Sequence, residues 1–337
     1  MKSRLGIGQD YPYMSARVSA KKAKLLDRND YDNFLKMQPN EIAKNLEEGV
    51  YKKDIDALGS KYDGVRLVEL ALSRNLSREL SHIVELSSDE LEEIVKTYLR
   101  RYDIISLKRL LRWKKGGEKG SIEDLMTPVT TYSFADLKEL SEKNFEEIVE
   151  EINFDSRINY QRYLEDRETL QEIEHGLDQV YYDELEELVD SVSSPRLEEF
   201  ISREIENQNL RLALRLKRYD VDEKEIRNRM LENGKPGLAE EVIGAKDFEQ
   251  AVELVMESDK VEEPAGDTLE DIEHAMEAKR LKDSLKMMHT EPLGITTVLG
   301  YVIAKIIEVK NLRVLIRAKE TGIHNPDTIR KNLILAK

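Results

Sequence analysis

Apolar residues recur three and four positions apart through most of the chain, the spacing that places them on one face of an amphipathic helix. FADLKELSEKNFEEIVEEI from Phe134, LAEEVIGAKDFEQAVELV from Leu238 and YDNFLKMQPNEIAKNL from Tyr31 show it, and each predicts one amphipathic helical element of the same kind. Three further helices are predicted to start at SSDELEEIV from Ser87, SSPRLEEFI from Ser193 and TEPLGITTV from Thr290, where Ser or Thr stands ready as the N-cap and Pro or an acid fills the first turn. Breakers follow each: Gly116, Gly117 and Gly120 in one case, GKPG over residues 234–237 in another, and GIHNP over residues 322–326 in the last. The most apolar window, GITTVLGYVIAKII over residues 294–307, is shorter than the roughly 20 residues that cross a bilayer and contains Lys305. It predicts a buried helix.

The pattern repeats. NLRLALRLK at residues 209–217 returns as NLRVLIRAK at residues 311–319, with Asn, Leu, two Arg and Lys in one register, and SLKRLLRWK at residues 106–114 stands about one step earlier. SARVSAK at residues 15–21 is a fourth and weakest copy. A second motif travels with the first: TLQEIEHGL from Thr169 and TLEDIEHAM from Thr268, with DIDAL from Asp54 as a faint third version. Two motifs on one period of about a hundred residues predict an all-α architecture of similar units. Their order divides the chain into repeat units at residues 54–166, 167–266 and 267–337. The C-terminal piece stops where the others continue into the amphipathic element, so residues 1–53 are expected to complete the third unit.

Composition sharpens this picture. Aromatics are 6% of residues and charged residues 36%, which suits long surface-charged helices and disfavours a sandwich or barrel. The net charge of −15, from 68 acidic and 53 basic residues, disfavours nonspecific binding to nucleic acid or anionic lipid and favours a basic partner surface. With no cysteine, disulfides, thiolate metal sites and cysteine nucleophiles are excluded. The N-terminus has no apolar core of signal-peptide length.

Candidate chemistry is sparse. Glu172 and His175, like Asp271 and His274, have the i, i+3 carboxylate–histidine spacing of di-metal helical proteins, but Ala57 stands where the third version needs a histidine. A di-metal enzyme is therefore an alternative, as is a helical scaffold of another complex. His82, His289 and His324 have no acid or nucleophile at a telling spacing, the glycines of KKGGEKGS lack the phosphate-loop pattern, and Gly6 and Gly8 make only a fragment of a dinucleotide fingerprint. The repeat motif supplies the candidate structural or interface residues: Asn209, Arg211, Arg215, Asn311, Arg313, Arg317 and Lys319. Paired arginines four apart, with Glu206 or Glu308 just before, read first as an intramolecular clamp and second as a partner contact. Trp113 reads as packing.

Residues 290–334, with Pro-Leu-Gly, a Lys/Glu-flanked helix, Asn-Leu-Arg and Ile-Arg-x-Lys, resemble the C-terminal segment of the C subunit of A-type and V-type ATP synthases, whose counterpart is the d subunit of the vacuolar proton pump. YPYMSARVSAKKAKLL from Tyr11 resembles the family's N-terminal signature, so the resemblance spans the chain. It implies an all-helical funnel of three similar units with pseudo-threefold symmetry, without catalytic residues, cofactor or metal. It further implies one copy per complex on the cytoplasmic face of the membrane, without a span and without nucleic acid. There it would couple the rotor ring of proteolipid subunits to the central shaft formed by the D and F subunits. The acidic surplus of the composition separately suggests a socket for a basic shaft foot. Two departures bear on roles: Ser106 replaces the repeat's Asn, and Ala16 and Lys21 replace its Leu and second Arg in the first copy.

Overall fold

Local capping chemistry sets the helices of the computed structural model, which describes residues 10–122, 126–192, 194–231, 237–261, 266, 268–290 and 293–335. Among the described residues sixteen α-helices are joined by turns and the 3-10 helix Tyr160–Tyr163, and no strand occurs. The all-α expectation holds. In chain order the first eight are α1 Asp10–Lys22, α2 Arg28–Phe34, α3 Pro39–Leu46, α4 Lys52–Leu58, α5 Gly64–Leu86, α6 Asp89–Lys115, α7 Phe134–Ser141 and α8 Phe145–Glu151. They are followed by α9 Leu170–Val192, α10 Pro195–Arg218, α11 Glu223–Arg229, α12 Leu238–Gly244, α13 Phe248–Met256, α14 Leu269–Thr290, α15 Ile295–Glu320 and α16 Pro326–Lys331.

The described residues form two compact bodies, one within residues 10–154 and 284–335 and the other within residues 155–283. In the first body α15 is the central helix. Every residue from Ile295 to Lys305 is buried, because α1, α3 and α5 all pack on it. Leu299 and Val302 are fully enclosed, each worth roughly 1.5–3 kcal/mol relative to exposure. This is the buried helix that the apolar window predicts, and among the described residues no helix is long and apolar enough to cross a membrane. In the second body α10 packs on α9, α12 and α13 around Leu210, Leu214, Ile226, Val242, Val255 and Ile272. Gly176 on α9 lies so close to the carbonyl of Tyr163, in the 3-10 turn Tyr160–Tyr163, that an added Cβ would collide with it.

Three sequence expectations change. Each amphipathic stretch is two short helices, α7 with α8, α12 with α13, and α2 with α3. The hydrophobic period runs through the breaks, but Asn144 and Asp247 accept backbone N–H bonds from Glu147 and Gln250, and Pro39 opens α3, so a fresh helix starts in each case. Helix α15 is capped by Gly294 without a side-chain bond, while α14 runs on through Thr290. The side chain of Thr290 and residues 291–292 lie outside the described residues, as do Gly6, Gly8 and residues 234–236 of the GKPG loop. Finally, Asp54 of DIDAL lies on the short α4, buried and paired with Arg78 and Asn75, rather than on a long helix like α9 or α14.

Candidate functional site

The repeat motif occupies the C-terminal half of three long helices, α6, α10 and α15, and its polar side chains meet the same kinds of partner in the α10 and α15 copies, and in part in α6. Asn209 donates through Nδ2 to the carbonyl of Leu231 at 3.1 Å and accepts from the same residue's N–H at 2.9 Å. Asn311 does the same to Ile334 at 2.7 and 2.8 Å. A carboxamide is the side chain whose donor and acceptor match one residue's backbone pair, so each Asn holds the segment of chain behind its helix. Ser106 keeps half of this, accepting from Thr127 N–H at 3.0 Å and returning its own hydroxyl to Tyr102 of its helix. At the fourth copy, Ser15 Oγ is buried with no hydrogen-bond partner among the described residues, so the loop tie stops at three copies.

A lysine completes the tie. Lys217 Nζ donates to the carbonyl of Ala245, the C-cap of α12, at 2.6 Å. Lys319 Nζ donates to the carbonyl of Leu35, the C-cap of α2, at 3.0 Å. Both ammonium groups sit at a helix C-terminus, where the unpaired carbonyls and the dipole favour a cation.

The arginines face other helices. Arg215 makes a bidentate pair with Glu273 at 2.5 and 2.7 Å, and Arg211 approaches Glu273 and Glu277 at 3.6 Å. In the first body Arg317 pairs with Glu69, and Arg313 donates to Ser73 Oγ at 2.7 Å. The Glu69 carboxylate holds the Arg317 guanidinium charged, as Glu273 does Arg215, whereas burial and then Arg109 push Arg313 down. All seven candidate residues therefore have an intramolecular partner, and the counterpart of Glu273 is Glu69 on α5 rather than a residue of DIDAL.

Sequence reasoning gave Glu206 and Glu308 to the arginines, and the structure gives them to backbone. Glu206 accepts from Ala239 N–H at 3.1 Å near the start of α12. Glu308 accepts from Leu26 N–H at 2.6 Å, just before α2, and also from Tyr51 Oη at 2.5 Å and Lys305 Nζ at 2.8 Å. In the remaining copy the acid is Asp103, which takes the N–H groups of Val129, Thr130 and Thr131 at 2.8, 3.0 and 2.7 Å and the Thr130 hydroxyl. Burial pushes the Asp103 carboxyl above its ordinary value, and these donors pull against that shift. The signal was present in the sequence: an acid stands three residues before Ser106, Asn209 and Asn311 alike.

Tyr51 and Lys305, which the motif did not single out, are both buried, and the Lys305 ammonium lies 2.9 Å from Tyr51 Oη and 4.3 Å from its ring centre. Burial, with Glu308 beside it, pushes the Tyr51 phenol well up. The phenol is thus held protonated, donating to Glu308.

The carboxylate–histidine pairs are used otherwise. Glu172 accepts from the N–H and hydroxyl of Thr169 at 3.0 and 2.7 Å, and Asp271 from the Thr268 hydroxyl at 2.6 Å, so both acids cap their own helices. Thr169 holds the Glu172 carboxyl below its ordinary value. Among the described residues no three His, Asp or Glu side chains are grouped to hold a metal ion. Trp113 donates from its indole to the Gly120 carbonyl at 3.2 Å.

A model of the family described as ATP synthase (C/AC39) subunit matches residues 14–332. The chain is 33% identical to the C subunit of the A-type ATP synthase of Methanococcoides burtonii, an alignment covering 98% of this chain and 96% of the relative. It is 30% identical to the protein of that name from Archaeoglobus fulgidus, covering 96% of each, and 28% identical to that of Haloferax volcanii, covering 97% of this chain and 98% of the relative.

Proposed function

We propose that this chain, which belongs to the ATP synthase (C/AC39) subunit family, is the non-catalytic central-stalk connector of a rotary A-type or V-type ATP synthase. In this reading it binds the D and F subunits of the shaft on one side and the proteolipid rotor ring on the other, one copy per complex. It lies peripherally on the cytoplasmic face of the cell membrane and passes torque between proton or sodium transport and ATP synthesis or hydrolysis. It needs no cofactor, metal or nucleic acid.

The observation that carries the reading is the repeated tie. In each copy an acid and an Asn or Ser on a long helix bind the backbone of the segment behind it, at Asp103 with Ser106, Glu206 with Asn209, and Glu308 with Asn311. A spacer between rotating bodies has to resist shear more than perform chemistry, and repeated side-chain ties across close-packed helices supply that resistance.

The three-unit reading belongs to the same proposal. Lys217 reaches the C-cap of α12, and Lys319 reaches the C-cap of α2, so α2 and α3 stand to α15 as α12 and α13 stand to α10. That parallel supports residues 1–53 as completing the unit of residues 267–337, beside units at 54–166 and 167–266. The pseudo-threefold funnel implied by the resemblance is part of the proposal, and an electron-microscopy map of the assembled complex tests it.

The function is tested by removing the chain from the complex and restoring it. Without it, the catalytic head is expected to keep hydrolysing ATP while ATP-driven ion transport into vesicles is lost, and purified chain restores transport. Coupled transport in its absence would overturn the connector role.

A further inference from the structure

A cavity of about 580 Å³ opens along α5 in the first body. It is bounded by α4 and the turn after it, by α5, and by residues near the start of α7. That volume lies within the usual range for small-ligand sites. Leu58, Leu70 and Met126, 7%, 8% and 1% exposed, give its floor an apolar part, beside the buried Ser73 and Ser77. Phe134, 37% exposed, stands at its side.

The rim has the opposite character from the protein. Lys53, Lys61, Arg74 and Lys138 line the cavity, all are exposed, and none has an ion pair or hydrogen bond from its side chain to another described residue. The acid among the lining residues, Asp54, is already engaged by Arg78 at 2.8 Å and Asn75 at 3.1 Å. Arg78 keeps a further buried donor, Nε, without an acceptor among the described residues. Four cations without a side-chain partner among the described residues thus gather around one cavity, on a chain of net charge −15.

We infer that this cavity binds a small organic phosphate, its phosphate held by Lys61, Arg74 and the neighbouring lysines and its apolar body seated on Leu58, Leu70 and Met126. Both halves of the ligand are required by the lining. A bare anion would leave the floor wet, and a neutral apolar molecule would leave the cations unused. The dianionic head suits the lysines as point charges and the arginine as a fork. The inference does not rest on the stalk role: none of the acids, Asn, Ser or Lys of the repeat ties is among the lining residues.

Titration calorimetry on the full chain tests this, with octyl phosphate below its micellar concentration as the probe and inorganic phosphate and octanol as its separated halves. Octyl phosphate is expected to bind one site, with inorganic phosphate and octanol each at least about tenfold weaker. Lys61→Glu combined with Arg74→Glu is expected to weaken octyl phosphate at least about tenfold, and raising salt to weaken it steadily. Lys36→Glu with Lys286→Glu makes the same change in net charge away from the cavity and should leave binding unchanged. Circular dichroism on both variants establishes that they fold. Absence of binding, equal loss in both double variants, or inorganic phosphate binding as tightly as octyl phosphate would overturn the assignment. Binding of a glutamate-rich peptide at this rim without binding of octyl phosphate would overturn it in favour of a protein partner.

Discussion

Lys319 Nζ donates to the carbonyl of Leu35 at 3.0 Å across 284 positions of sequence, and Lys217 makes the same bond to Ala245 across only 28. One interaction is local and the other joins the two ends of the chain, yet both place an ammonium on the C-cap of the first helix of a short pair. Replacing Lys319 by Met keeps the stem and removes the charge-assisted bond, so it should cost about 1.5–3 kcal/mol in denaturant unfolding. The loss should appear as faster hydrogen exchange in α2 and α3, with α12 and α13 unchanged.

Asn209 offers a sharper contrast because its two bonds go to one residue. Asn209→Asp retains the acceptor for Leu231 N–H but turns a carboxylate oxygen toward the Leu231 carbonyl. It is expected to destabilise more than Asn209→Ala, which leaves about 1–3 kcal/mol of unmet backbone polarity. Thermal unfolding of the two variants checks the order.

The cluster of Tyr51, Lys305 and Glu308 is enclosed, with the Lys305 and Glu308 side chains 2% and 3% exposed. Glu308→Leu alone strands the ammonium and should cost about 3–5 kcal/mol, whereas adding Lys305→Met removes both charges and should recover much of that loss. A double-mutant cycle by urea unfolding measures the recovery; additive losses would contradict a coupled pair.

Glu79 binds Lys21 at 2.6 Å and so pins α1 to α5. Burial pushes its carboxyl up, but the Lys21 bond and charge, with Arg78 and Lys305, outweigh that and leave it below its ordinary value. A carboxyl lowered in the folded state contributes stability that is present above its unfolded value and lost as pH falls through the folded one. Lys21→Met should therefore lower stability at pH 7 and flatten the acid limb below about pH 4.5, as read from unfolding midpoints across pH.

The sequence made the helical class and the repeat register readable, since Asn, Arg and Lys recur at fixed spacing on an amphipathic face. It also showed which helix would be buried, because residues 294–307 form the most apolar window of the chain, with Lys305 its one charge. The break inside each short helix pair was hidden, as the apolar period runs through it and only the caps at Asn144 and Asp247 interrupt it. The role of Glu308 was hidden for a different reason: periodicity gives the face a side chain occupies, not its partner, and its partners Leu26 and Tyr51 are more than 250 residues away. Glu172 and Asp271 looked like metal ligands by spacing, but a Thr three residues earlier takes each as a cap.

The most direct test of the connector role is affinity capture of the tagged chain from native membranes, with the accompanying chains identified by mass spectrometry. Co-purification of the D and F shaft subunits together with the proteolipid ring is the predicted result. Recovery of the chain with neither shaft nor ring, from membranes whose synthase is intact, would contradict it.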